Sequence, residues 1–176
     1  MPGNGTKSCG TLNNCMPLKP IKTKDRLDVL KTDAQKAYYY ARYTRKKRWP
    51  AAEPIILKNP EIAIEYALNV VKKRWPEVEP IFLKDPQSAY LYSKKVLNGR
   101  WIKAEPYIMQ DPFYAYMYAK HILKHRWPEA EPYIMKNPTW AYQYALYVIK
   151  DKWPEAEPTI KKDKHYNNIY KKAFNH

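Results

Sequence analysis

Five tryptophans restrict what this chain can fold into. Trp49, Trp75, Trp101, Trp127 and Trp153 follow one another at a constant step of 26 residues, and only Trp140 falls outside the series. Glu53, Glu79, Glu105, Glu131 and Glu157 keep the same step, as do the prolines that follow each of them. A period of this length without slippage is the mark of stacked supersecondary units, each burying its apolar face against its neighbours.

The unit can be read residue by residue. Asn59-Pro60, Asp85-Pro86, Asp111-Pro112 and Asn137-Pro138 each mark a helix start. The Asn or Asp side chain accepts from free N–H groups of the first turn, and proline sits where its missing N–H costs nothing. From Pro60 the run PEIAIEYALNVVKKR has no internal Gly or Pro, and Ala63, Tyr66, Ala67, Val70 and Val71 form one apolar stripe. It predicts a long helix of about 14 residues, or ~21 Å, closed by basic residues that favour the negative end of the helix dipole. The preceding phrase, RWPEAEP at 126–132, holds two prolines that keep a helix short rather than spoil a long one. The second proline should push Glu53 and its equivalents away from the α region. A tight turn at WPEAE and a helix of one to two turns are therefore expected.

The expected fold is an all-α solenoid of 26-residue repeats, each a short helix, an Asn/Asp-Pro cap and a long helix. About six units at ~10 Å per layer would stack to roughly 60 Å. Residues 1–22 read as a flexible basic leader, a disordered N-terminal arm. Residues 23–48 form a degenerate capping repeat with Asp33, Ala37, Tyr40 and Ala41 in register. Four full repeats occupy 49–152, and 153–176 is a truncated C-terminal capping repeat. There Lys164 replaces the proline, while Asn167 and Lys171 stand where internal units carry Ala or Ser. Polar residues on an otherwise buried face suit a terminal unit.

Hydrophobic residues at 45% and aromatics at 15% exclude a disordered chain. No apolar run approaches the ~20 residues of a membrane-spanning helix, and the start MPGNGTKSCGTLNNC lacks a signal peptide's apolar stretch. A soluble intracellular protein is expected. The net charge of +15 is uneven: residues 1–48 carry +9, residues 49–158 only +2 and residues 159–176 +4. Cys9 and Cys15, the only cysteines, are too few for an all-cysteine zinc site and read as free thiols of an intracellular protein.

Units of the form R/K-W-P-E-A-E-P-x-I-x-K-D/N-P-x-x-A-x-x-Y-A, covering about 49–158, resemble an uncharacterised tandem helical-repeat family of large tailed bacteriophages. The resemblance implies a viral source and the cytoplasm of a bacterial host, with a place in the virion as the alternative. It brings no activity and no functional residues. The unit at Trp101 departs most, with Ile102 and Lys103 in place of Pro-Glu after an Asn98-Gly99 helix end.

Candidate sites are weighed against plain structural roles. The two Glu of PEAEP suggest an acid–base pair, but residues two apart point to different sides of a helix. Recurrence in most units favours a dipole-stabilising role. His121 and His125 lie four apart on the expected helix, yet no third metal ligand is evident. The tyrosines form two ladders, Tyr66, Tyr92, Tyr118, Tyr144 and Tyr170, and Tyr38, Tyr90, Tyr116 and Tyr142. The first reads as seam packing; the second is evenly divided between packing and stacking on nucleic-acid bases. The five series tryptophans are assigned a structural role.

The binding candidates are basic. Arg48, Arg74, Arg100, Arg126 and Lys152 form a ladder, much of it expected to be partnered by neighbouring Glu rows, and Lys103 joins it at the departing unit. Arg42, Arg45, Lys46 and Lys47, with Arg48, form an acid-free run suited to phosphate. No catalytic set, cofactor or metal site is expected. The expected function is a non-enzymatic interaction protein, binding a host or phage protein through the solenoid surface. Nucleic-acid binding through 36–48 and the basic tails is the alternative.

Overall fold

The computed structural model describes Leu30 and residues 32–174. The leader at 1–22 and the cysteines lie outside these residues. The described chain is mostly helical, about 11 helices repeating every ~26 residues, with no strand among the described residues. It is the expected all-α, solenoid-like repeat.

The long helices are α1 (Ala34–Tyr39), α3 (Pro60–Tyr66), α5 (Pro86–Tyr92), α7 (Pro112–Tyr118) and α9 (Pro138–Tyr144). Each continues into a widened π-helical end: Tyr40–Arg45, Ala67–Val71, Ser93–Leu97, Ala119–Leu123 and Ala145–Ile149. The short helices are α2 (Glu53–Ile56), α4 (Glu79–Phe82), α6 (Glu105–Ile108), α8 (Glu131–Ile134) and α10 (Glu157–Ile160). The last helix, α11, spans Lys164–Phe174. Successive long helices touch, and α2, α6, α8 and α10 each touch the long helix of the preceding unit. The stack therefore has one continuous core.

The predicted starts are present. Asn59 Oδ1 accepts from Ile62 N–H at 3.1 Å, Asp85 from Ser88, Asp111 from Phe113 and Tyr114, and Asn137 from Thr139 and Trp140. Asp33 and Asp163 cap α1 and α11 in the same way. At the C-terminal cap Lys171 is exposed and Asn167 partly so, whereas Ala63, Ala89, Ala115 and Ala141 are fully buried.

Two local expectations are corrected. The helix from Pro60 ends at Val71, not among the basic residues, because Lys72 turns left-handed at φ 54°. Its N–H then bonds to Ala67 O, five residues back, at 2.8 Å. Lys46, Asn98, Lys124 and Lys150 occupy the same corner with φ from 49° to 63°. Gly99, expected to terminate its helix, has no positive φ; Asn98 makes the turn. Asn tolerates this region because its short amide bonds locally. The second correction concerns the residue before proline. Glu53, Glu105 and Glu157 are in the right-handed α region, near φ −59°, −55° and −53°. The pre-proline preference is overridden there, and α2, α6 and α10 begin at the glutamate itself.

Candidate interaction surface

The repeated phrase closes a polar node in each full unit. Arg48 Nε donates to Glu53 Oε1 at 2.6 Å and a terminal guanidinium nitrogen donates to Oε2 at 2.9 Å. Arg74 grips Glu79, Arg100 grips Glu105 and Arg126 grips Glu131 in the same two-pronged way. The carboxylates are buried, Glu105 being 6% exposed, so the fork supplies the partner a buried charge requires. Tyr66, Tyr118 and Tyr144 then donate from their hydroxyls to the same carboxylates at 3.1 Å. Each hydroxyl accepts in turn from the backbone N–H of Trp49, Trp101 or Trp127 at 2.6–2.7 Å. Burial pushes the Tyr66 phenol up to about 12, with the Glu53 carboxylate adding to the rise.

This geometry separates the two glutamates of each phrase. The second is inside the node, a role that dipole stabilisation does not describe. The first, represented by Glu77, Glu129 and Glu155, is exposed. Tryptophans and tyrosines fill the seams. The ring of Tyr66 lies 5.3 Å from that of Trp75 in the next unit, and Tyr92–Trp101, Tyr118–Trp127 and Tyr144–Trp153 repeat the contact at 5.0–5.2 Å. All five series tryptophans are buried. The second ladder is buried as well, so Tyr38, Tyr90, Tyr116 and Tyr142 present no stacked row of ring faces. Lys94 and Lys120 donate to the hydroxyls of Tyr90 and Tyr116, one helical turn back.

The basic run at 42–48 divides into engaged and free members. Arg42 donates to the Tyr38 hydroxyl and lies 5.1 Å from the Tyr43 ring centroid. Arg45 sits over Trp49 at 5.6 Å. Lys46 and Lys47 are exposed. The His121–His125 pair does not share a helix, because the helix ends at Leu123 and Lys124 turns the chain. His125 Nδ1 instead lies 2.6 Å from Arg126 O, and no cluster of three or more metal-ligating side chains occurs among the described residues. Burial, with Lys94 and Lys120 adding to it, holds the His121 imidazole below its usual range.

Along the corner edge a further register appears. Arg48 lies 3.6 Å from Glu77 of the next unit. Glu129 and Glu155 act on Arg100 and Arg126 in the corresponding positions. At Arg74 the residue so placed is Lys103. Lys103, Arg74 and Arg100 line a groove of about 650 Å³ with Lys72, Lys73, Val96, Leu97 and Ile102. Sequence reading identified Arg74, Arg100 and Lys103, but not Lys72 and Lys73, which were placed inside the helix.

Among the described residues no helix is long and apolar enough to cross a membrane. Comparison with protein-family models, curated proteins and solved structures finds no match to this chain.

Proposed function

We propose that this chain is a non-enzymatic helical-repeat scaffold that binds a protein through the outer surface of its solenoid. The observation that carries this reading is how the unit divides its residues. Side chains that recur in every full repeat, the Trp, the node Glu and the first Tyr ladder, are buried. Exchanges at buried positions stay small or apolar, as from Ala52 to Val78 and Ile56 to Phe82, whereas exchanges of charge lie outside: Ala51, Glu77, Lys103, Glu129 and Glu155 are equivalent and all exposed. A conservatively filled interior carrying a varied face is how stacked repeats present recognition surfaces. The resemblance of the repeat phrase to phage proteins makes a phage or bacterial host protein the expected partner, met in the host cytoplasm.

Nucleic-acid binding at the N-terminal end is the second reading, favoured by Lys46 and Lys47, which are exposed and have no acidic partner among the described residues. Salt titration of binding to mixed-sequence oligonucleotides tests it, since phosphate contacts give a steep salt slope. The scaffold reading expects weak binding that is unchanged by Arg45→Glu, Lys46→Glu and Lys47→Glu together. Tight, steeply salt-dependent binding lost in that variant would replace it. In host cells, a photo-crosslinking residue at Tyr107, exposed on α6, is expected to give a discrete protein adduct; nucleic-acid adducts alone would overturn the reading.

A further inference from the structure

We infer that the groove at the junction of the first three full repeats binds an acidic protein segment carrying an apolar side chain. The inference rests on the scaffold reading above and specifies its site and the chemistry of its ligand.

The charge of the groove follows from one exchange in the register. Beside Arg48, Arg100 and Arg126 stands an exposed glutamate of a following unit, Glu77, Glu129 and Glu155 in turn. Around Arg74 that place is taken by Lys103. Of the carboxylates nearest in sequence to the groove, Glu79 and Glu105 are buried and held by Arg74 and Arg100, and the exposed Glu77 is turned to Arg48, 3.6 Å away. Lys72, Lys73 and Lys103 are exposed and have no ion pair among the described residues. A near-neutral repeat region thus concentrates three uncompensated cations at one spot, which attracts and orients an anionic partner.

The apolar component comes from the same unit. Ile102 stands where the other units carry proline and is 69% exposed, the most exposed large hydrophobic side chain among the described residues. It shares the groove with Val96 and Leu97, both partly buried. A phosphate chain gains nothing from an exposed isoleucine, whereas a leucine or phenylalanine flanked by carboxylates buries against it. The volume, about 650 Å³, is in the range that accepts a few side chains. Residues 1–29 carry five Lys/Arg against two Asp, the same sign as the groove, so they are poorly matched to fill it. An acidic, partly apolar surface exists around Glu61, Glu65, Asp85, Ile64, Ile81 and Leu91, which makes a second copy the principal competing occupant.

Panning a random peptide library on the wild-type protein, with Lys103→Glu protein as counter-target, tests the site. Lys103→Glu and Ile102→Pro restore the residues of neighbouring units, so both variants are expected to keep the helical signal and unfolding midpoint. Enriched peptides should carry Asp or Glu around one large apolar residue. They should bind wild type about tenfold or more tightly than either variant, and more tightly than a mixed-sequence oligonucleotide. Acidic peptides that bind both variants as well as wild type would sink this site but leave protein binding standing. Preference for the oligonucleotide would sink both readings. Enrichment of peptides without acids, or affinity indifferent to Ile102→Pro, would overturn the ligand class. Sedimentation showing self-association lost in Lys103→Glu would assign the groove to a second copy instead.

Discussion

The backbone N–H of Trp49 donates to the hydroxyl of Tyr66 at 2.6 Å, across 17 residues of sequence. The contact ties the opening of a repeat to the middle of its own long helix. The same tyrosine ring packs on Trp75 of the next unit. One side chain therefore satisfies a buried donor within its unit and fills the seam to the following one.

Tyr118→Phe isolates the polar half of that role. The ring volume is almost kept, so no large cavity forms. Trp101 N–H loses its partner and Glu105 loses one donor. An unsatisfied buried group costs about 1–3 kcal/mol, and denaturant unfolding is expected to show a loss in that range. An unchanged midpoint would mean that the hydroxyl is dispensable.

Trp127→Ala isolates the packing half. The ring is 3% exposed and sits 5.2 Å from Tyr118, so truncation should cost about 3–5 kcal/mol. Trp153→Phe should cost less, because the Trp153 indole N–H is buried without an acceptor among the described residues, so no hydrogen bond is lost there. Thermal unfolding of the two variants checks the order.

The corner after each long helix predicts a stabilising change. Lys124 is left-handed at φ 62°, a conformation that costs a side-chain-bearing residue roughly 1–2 kcal/mol. Glycine adopts it freely but loses more chain entropy on folding, by roughly 0.5–1 kcal/mol. Lys124→Gly should then raise stability by about 0.5–1 kcal/mol, and Lys124→Val should lower it. Chemical denaturation of the two variants reads the sign directly.

The ease of reading this chain differed between its elements for physical reasons. Helix starts were legible because Asn59-Pro60 and its equivalents combine two local signals, a side-chain acceptor and a fixed φ. The ends were misjudged because Lys72, Lys124 and Lys150 make left-handed corners without glycine, and because Gly99 drew attention from Asn98. Glu79 looked like a dipole partner because its burial and its proximity to Tyr92 become visible only once the chain folds back. The Tyr90, Tyr116 and Tyr142 ladder was ambiguous because period alone does not say whether a face meets a neighbour or solvent. The basic arginines were correctly paired with glutamates, but the groove needed the approach of two successive corners, at Lys72 and Asn98.

The buried phenols predict a steep alkaline limit. Burial pushes Tyr66 from 10.0 up to about 12, and Tyr92, Tyr118, Tyr144 and Tyr170 shift upward from the same first cause. A phenol with a folded pKa above its unfolded value keeps its full contribution below pH ~10. Between pH ~10 and ~12 the unfolded chain binds fewer protons, so stability falls as pH rises. Urea midpoints are expected to hold to about pH 10 and then drop, with tyrosinate absorbance rising as helical dichroism disappears. Tyr66→Phe should make the drop shallower. Ionisation of these phenols at pH ~10 with helicity intact would contradict their burial.

Because each node is local in sequence, reaching out of its unit only to the arginine that ends the unit before, and every seam is a Tyr–Trp contact, the chain is divisible. Excising residues 101–126 would join Arg100 to Trp127, leaving Arg100 five residues before Glu131 and Tyr92 one unit before Trp127. The new junction repeats the chemistry of the two it replaces. Unequal exchange between gene copies can therefore lengthen or shorten this protein in whole units while the interior remains solved. Its number of units is a free variable, and the odd unit at Ile102–Lys103 is a local inscription on an otherwise interchangeable series.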